Sequence, residues 1–263
     1  MLKRFGIVHK GDELSTKVSD IIIQRLQERD CIYDNENPEL VITVGGDGTM
    51  LYAVHQYEKL LDSVCFLGVH TGTLGFYTDY LRSELDTLVE DIVGGRCEIT
   101  NRSLIEVDIY GDDKVHTFAL NEFRIQNPYI TQVLRVYVDG EYLETFRGTG
   151  ICFSTPSGST ALNKSLGGAV VSPNLEVIQM TEIASIGHNS YRSLGSSLIL
   201  DKNQDILITM DNTSGLVLGA DHFNLNINNV SRIKISSSKH FVRCVQYRPF
   251  SFISRIRRTF ISG

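Results

Sequence analysis

The stretch "VITVGGDGTMLYAVHQY" (41–57) runs from four strand-forming residues, through a turn of three glycines and one carboxylate, into a segment that can form a helix. A strand feeding a helix through a glycine-rich turn is the unit of a parallel sheet covered by helices. Such a turn can cradle phosphate, because glycines let backbone N–H groups approach a ligand at a helix N-terminus. Yet this one carries Asp47 and no lysine. A purely structural alternative stands beside that reading, in which Asp47 caps the helix and the turn serves geometry alone.

Working outward, "RFGIVH" (4–9) reads as a strand, with Leu14, Val18, Ile21, Ile22 and Leu26 at helical spacing behind it. "ELVITV" (39–44) is a second strand, followed by a helix expected from about Thr49 to Leu61, and "VCFLGVH" (64–70) is a third. Leu85, Leu88, Val89 and Ile92 mark a further helix that ends at Gly94 and Gly95. Both glycine-rich turns, "GGDGT" and "HTGTLGFY", fall where ligands of such sheets bind, beyond the carboxyl ends of strands. After residue 100 strand follows strand. "VLRVYVDGEYLETF" (133–146) is a hairpin whose Asp139-Gly140 turn tolerates positive φ, and one helix is expected from about Ser157 to Lys164.

The expected fold is therefore an α+β pair of domains. An N-terminal α/β, Rossmann-like domain (1–99) would be completed by the tail (251–263), and a C-terminal, mostly antiparallel β-sandwich domain would span 100–250. In the tail, Arg248, Arg255, Arg257 and Arg258 alternate with apolar residues. That pattern predicts that Phe250, Phe252, Ile253 and Ile256 pack back onto the first domain.

Bulk properties exclude several classes. The 263 residues, 42% of them hydrophobic, suffice for a packed core, and a net charge of -6 argues against a nucleic-acid binder working through a general positive field. No run approaches the roughly 18 apolar residues of a membrane span, and the N-terminus lacks a signal-peptide pattern, so a cytoplasmic protein without membrane or nucleic-acid partners is expected. Five cysteines without a CxxC pair fit reduced thiols, and the seven histidines form no zinc pattern.

Two familiar nucleotide loops fit poorly. In the first turn Thr49, Met50 and Leu51 follow Gly48, so the third glycine of G-x-G-x-x-G is missing. "GSTALNKS" (158–165) has Asn163 where a Walker A loop needs its second glycine. A carboxylate beside bound phosphates repels them unless a metal bridges the two or the carboxylate faces a hydroxyl. That suits a kinase, where the loose transition state asks for positioning, charge neutralisation and an acceptor for the hydroxyl proton.

Taken together, the motifs resemble the bacterial NAD kinases, ATP-dependent enzymes that phosphorylate the 2'-hydroxyl of the adenosine ribose of NAD to give NADP. The resemblance runs through "NPELVITVGGDGTMLYAVHQY", "GVHTGTLGFYTDYL", "LNEFRI", "FRGTGICFSTPSGSTALNKSLGGAVVSPNLEVIQMTEIASI" and "DHFNLNI". It implies that Asp47 accepts the ribose proton, with Gly45, Gly46, Gly48 and Thr49 near the phosphates. His70 and the loop from Thr71 to Tyr77 would follow, Phe76 lining the adenine side. Asn121 and Glu122 would hold the ribose or bind near the diphosphate, and Arg147 would sit close by. Thr160, Ala161 and Ser165, with Ser157, Asn163 and Lys164 of the same stretch, would contact the ends of NAD. Ala184 would lie against a base in a neighbouring subunit and His222 near the phosphates or substrate. Mg²⁺, or another divalent metal, would come with ATP. A homo-oligomer, dimer or tetramer, with sites shared between subunits is implied.

Two positions depart from the family pattern. Thr149 stands in "RGTG" where the family usually has aspartate, and Leu162 stands where it usually has tyrosine. Both changes remove polar or aromatic contacts to NAD, so weaker NAD affinity or altered substrate preference is expected. Two other classes stay open on these residues: a lipid or small-alcohol kinase sharing "GGDGT", and a nucleotide-binding protein with little activity.

Overall fold

The computed structural model describes residues 3–72, 75–187, 192–249 and 251–261. In chain order its elements are β1 (Arg4–His9), α1 (Glu13–Gln27), β2 (Ile32–Tyr33), β3 (Leu40–Gly45), α2 (Asp47–Gln56), β4 (Cys65–His70), β5 (Tyr80–Leu81) and α3 (Leu85–Gly94). There follow β6 (Glu98–Tyr110), β7 (Lys114–Ala119), β8 (Glu122–Gln126), β9 (Gln132–Val138), β10 (Glu141–Ser154) and α4 (Leu162–Ser165). The chain closes with β11 (Val177–Ser185), β12 (Leu198–Asp201), β13 (Ile206–Thr209), β14 (Val217–Ala220), β15 (Phe223–Leu225), β16 (Arg232–Gln246) and α5 (Phe252–Ile256). Two compact units result: Met1–Asn101 with Phe241–Gly263, and Arg102–His240.

In the first unit β4, β3, β1 and β2 form a parallel ladder, with Phe5 opposite Leu40 and Leu40 opposite Cys65. All six residues of β3 are buried, as a parallel strand covered on both faces requires. Helix α1 starts where the Asp12 carboxylate accepts the Ser15 N–H at 2.8 Å, and it buries Val18, Ile22 and Leu26. Ile22 and Leu26 are fully enclosed, each contributing about 2 kcal/mol of transfer free energy. The chain's return to this unit begins at Phe241, ten residues before the expected 251, because the end of β16 pairs in parallel with β4 (Arg243 opposite Cys65).

Helix α2 begins at Asp47, two residues earlier than its pattern predicts, because Gly46 takes the N-cap position. Its end also differs: the helix stops at Gln56, and a 3₁₀ turn covers Glu58–Leu60. The tail keeps part of its apolar pattern, with Phe252 packed on Phe76 and Ile256 half-buried, and departs from it at Ile253. Ile253 is 72% exposed whereas Arg255 is only 7% exposed, so the arginine and not the isoleucine is the buried anchor of α5. Phe250 lies outside the described residues.

The second unit is antiparallel, with strand order β15-β14-β8-β10-β9-β13-β16 and with β11 and β12 joined through β10. The hairpin from β9 to β10 turns at Asp139 (φ 51°) and Gly140 (φ 83°), as its sequence predicts. Strand β10 changes partner along its length. Residues 141–148 pair with β9, whereas 150–154 pair with β8 on one edge, and β11 takes 148–154 on the other. "RGTG" is the crossover: a Cβ at Gly150 would lie 2.0 Å from the Ile125 carbonyl, so only glycine lets the strands close there. Phe123, Ile125, Leu134, Val136, Phe146, Ile151, Phe153 and Met180 form the core beneath it. The expected helix at 157–164 is broken into a 3₁₀ turn (Gly158–Thr160) and the single turn α4. No helix among the described residues is long and apolar enough to cross a membrane.

Candidate active site

The predicted site residues fall into two groups, one in each unit. In the first unit β3 delivers Gly45 and Gly46 to the start of α2, and Asp47 becomes the first helical residue. Its carboxylate makes no capping bond to its own helix. Instead Oδ2 accepts the Phe76 N–H and Oδ1 the Tyr77 N–H, each at 2.9 Å. The capping alternative is thereby excluded. Asp47 reaches across to the second glycine-rich turn, and that turn must come close, since a Cβ on Gly75 would lie 2.2 Å from Oδ1. Asp47 stays half-buried, Gly48 is exposed and Thr49 is buried. The N–H groups of the first turn of α2 therefore face the place where an anion would be received.

His70 closes this group. Its Nδ1 accepts the Gly72 N–H at 2.6 Å, which leaves the proton of the neutral ring on Nε2, beside Gly46. Burial pulls its pKa below the ordinary histidine value, against the opposing pull of the Asp47 carboxylate. Phe76 packs its ring against Phe252 and Phe260 of the tail, at centroid distances of 6.4 and 5.7 Å. Thr73 and Leu74, part of the expected loop, lie outside the described residues.

In the second unit the Asn121-Glu122 pair sits at the start of β8, clasped by a residue that sequence reasoning did not single out. The Asp221 carboxylate accepts the N–H groups of Leu120 (2.9 Å), Asn121 (2.7 Å) and Glu122 (3.3 Å). Asp221 is 4% exposed and adopts φ 52°, a conformation aspartate tolerates better than most residues. Arg124, two residues along β8, donates to the Asp221 carbonyl at 2.8 Å and lies 3.5 Å from Glu122 Oε1. Burial, and then the neighbouring Asp221 charge, push the Glu122 carboxyl up to about 7, with Arg124 opposing. Glu122 Oε2 and Ser157 Oγ are buried polar atoms with no hydrogen-bond partner in the protein. Orphans of this kind invite a ligand.

"TPSGSTA" folds over the same pair. Thr155 N–H donates to the Asn121 carbonyl at 2.9 Å, and Thr155 Oγ1 donates to the Leu120 carbonyl at 2.5 Å while accepting the Gly158 N–H at 3.0 Å. A Cβ at Gly158 would lie 1.9 Å from the Asn121 carbonyl, which is why this turn needs glycine. Thr160, Ala161 and Leu162 are half-buried, while Lys164 and Ser165 are exposed at the end of α4. Asn163 is fully buried. Its amide donates to the carbonyls of Ser159 and Ala169 and its oxygen accepts from Thr181, so it holds the turn together from within.

Thr149 lies across from Ala184, between the pairs Gly148–Ser185 and Gly150–Ile183. Ala184 is exposed at φ 46°, in the left-handed region where a side chain costs about 1 kcal/mol. Arg147 is half-exposed one residue before this crossover. His222 is exposed in the turn from β14 to β15, its ring 3.9 Å from that of Phe223. Arg124 had a detectable signal, two residues from Glu122 on one strand. Asp221 had only its position before His222, because its partners lie about a hundred residues away.

Known proteins resemble this chain over nearly its whole length. Residues 7–97 match the ATP-NAD kinase N-terminal domain and residues 120–247 the ATP-NAD kinase C-terminal domain. The chain is 42% identical to the NAD kinase of Staphylococcus carnosus, over 98% of each chain. It is 43% identical to NAD kinase 1 of Oceanobacillus iheyensis, again over 98% of each. Among solved structures, yeast NADH kinase complexed with NADH superposes with a TM-score of 0.86 at 22% identity, covering 100% of this chain and 89% of that one. The Archaeoglobus fulgidus NAD kinase in complex with ATP gives 0.72 at 20% identity, covering 98% and 97%. These two show the shared fold. A carboxylate set between two glycine-rich turns, an Asn-Glu pair under "TPSGSTA", and matches along nearly the full chain lead to one conclusion: the chain belongs to the NAD kinase family.

Proposed function

We propose that the protein transfers the γ-phosphoryl group of ATP to the 2'-hydroxyl of the adenosine ribose of NAD, with Asp47 accepting the hydroxyl proton. The observation that carries this reading is the Asp47 carboxylate, fixed by two amides from another loop yet left half-exposed at a helix N-terminus. Two lone pairs are spent on Phe76 and Tyr77, and the remainder can accept a hydroxyl. Asp47 is a weak base, but in a loose transition state the proton leaves late, so orienting the hydroxyl matters more than basicity. As the O–P bond forms, the ribose proton passes to Asp47 and ADP departs. The N–H groups at the start of α2 receive phosphate oxygens, and the Nε2–H of His70 offers a further neutral donor.

The donor set beside this turn is a single carboxylate. It fits an ion carried in by the nucleotide: Mg²⁺ on the triphosphate would neutralise charge for which the turn has no lysine. In the second unit, Asn121, Glu122, Ser157, Thr160, Ala161 and Ser165 supply the amides, hydroxyls and small side chains that read a large flat dinucleotide. Glu122 Oε2 and Ser157 Oγ gain partners when it binds. Thr149 and Leu162 weaken contacts at the nicotinamide end, Ala184 offers its exposed face to a base held by a second subunit, and Arg147 and His222 face phosphate or substrate. The active form is then a homo-oligomer, dimer or tetramer, working in the cytoplasm.

Incubation with NAD, ATP and Mg²⁺, with NADP detected by an NADP-specific dehydrogenase, tests this reading. Steady NADP formation is expected. NAD binding without product would favour a nucleotide-binding protein, and phosphorylation of a lipid or simple alcohol in preference to NAD would overturn the substrate assignment.

A further inference from the structure

The tail raises a question that the reaction alone does not answer. A basic, amphipathic segment is expected to bury its apolar side and leave its arginines in water. Helix α5 instead exposes Ile253 and sinks the Arg255 guanidinium into the first unit. A buried guanidinium is costly unless its donors are filled and a counter-charge is near. Here Nη1 donates to the carbonyls of Gly75 (2.6 Å) and Thr78 (2.5 Å), and Nη2 pairs with the Asp79 carboxylate.

All three partners belong to one short loop, and that loop holds Asp47. The Phe76 and Tyr77 amides that bind the two Asp47 oxygens lie between the two carbonyls that Arg255 grips. The loop is tied at other points too: Gly75 N–H donates to Thr78 Oγ1 at 2.9 Å, and Asp79 N–H to the Gly68 carbonyl at 2.9 Å. Phe76 stacks against Phe252 and Phe260 on either side of Arg255 in sequence. The charged groups around the guanidinium are Asp79, Asp47 and the like-charged Arg258. The chain thus runs Arg255 to loop carbonyls, loop amides to Asp47. It also brings a fixed positive charge behind a turn that has no lysine of its own.

We propose that Arg255 is a positioning residue for phosphoryl transfer: by gripping Gly75, Thr78 and Asp79 it sets the two amides that aim the Asp47 carboxylate. The proposal rests on the assignment of Asp47 as proton acceptor. Its geometry asks for arginine in particular. A planar fork can span two carbonyls and a carboxylate at once, whereas the compact ammonium of lysine cannot.

The test uses the full-length protein with Arg255→Ala, Arg255→Lys, Asp79→Asn and Asp47→Asn, each checked for folding by thermal melting. Arg255→Ala is expected to lower kcat about 100-fold with the KM for NAD and ATP nearly unchanged, as for a misplaced catalytic group. Millimolar guanidinium is expected to restore part of the turnover of Arg255→Ala, and Arg255→Lys to remain impaired. Should Arg255→Ala fail to fold, Asp79→Asn keeps the guanidinium and loosens its grip. It is expected to lower kcat about tenfold at unchanged KM. Normal kcat per folded molecule in Arg255→Ala, or in Asp79→Asn where that variant decides, overturns the proposal even if the melting temperature falls. Asp47→Asn separates the two ideas: if it keeps full turnover, the assignment of Asp47 fails first; if it is inactive while Arg255→Ala turns over normally, only the positioning role fails.

Discussion

Asp47 in the first unit and Asp221 in the second are both held by backbone amides from a distant loop, but they are left in different conditions. Asp47 takes two N–H groups from 29 and 30 residues away and stays half-exposed at the start of a ten-residue helix. Asp221 takes three consecutive N–H groups from about a hundred residues away and is buried in a tight turn. The difference is one amide and the access of solvent. A carboxylate surrounded by donors and closed off is spent on structure, whereas one with lone pairs left over can still accept a hydroxyl. On the proposed role of Asp47, the same hydrogen-bond device serves as a clasp in one unit and as an aiming frame in the other.

The two carboxylates differ most in what their removal costs. Asp221→Ala leaves three buried N–H groups without their charged acceptor and is expected to cost about 3 kcal/mol in urea unfolding, against about 1 kcal/mol or less for Asp47→Ala. Equal losses in the two variants would erase the distinction between clasp and frame.

A pH-dependent effect of similar size shows what the clasp does to its neighbour. Folded Glu122 keeps its proton up to about pH 7, while the unfolded chain releases it near 4.5. Between those values the native state binds more protons, so stability falls as pH rises through the window, by roughly 3 kcal/mol in all. Glu122→Gln is expected to flatten this slope when melting is followed from pH 4.5 to 7.5, and an unchanged slope would remove Glu122 as its source. Smaller is the contribution of the two departures from the family pattern. The double variant Thr149→Asp, Leu162→Tyr is expected to lower the KM for NAD about tenfold in the NADP-forming assay with kcat little changed. No change in KM would mean that neither position meets the dinucleotide.

The parallel sheet was legible in the sequence because its strands are unbroken apolar runs bounded by helical spacing. "LVITVG" is buried at every position, and Leu85 to Ile92 repeat at helical intervals until Gly95 ends the helix. Asp47, Asn121 and Glu122 were legible as motif residues. Three things were not. The start of α2 lay hidden because Gly46 can cap a helix without a side-chain signal. The burial of Arg255 in the tail lay hidden because alternation predicts which face is apolar, not which polar group finds buried carbonyls. Asp221 lay hidden because its worth comes entirely from amides brought back by the sheet, and no local spacing records a contact across a hundred residues.

The central claim is that Asp47 acts on the bound ribose hydroxyl and does not merely shape the site. The direct measurement is the single-turnover rate of NADP formation from saturating NAD, ATP and Mg²⁺, compared between the unaltered protein and Asp47→Asn, with NAD affinity measured on the same preparations. The account predicts a rate at least about 100-fold lower in the variant, with NAD bound nearly as tightly. Equal rates, or a loss of rate fully explained by lost NAD binding, would contradict it.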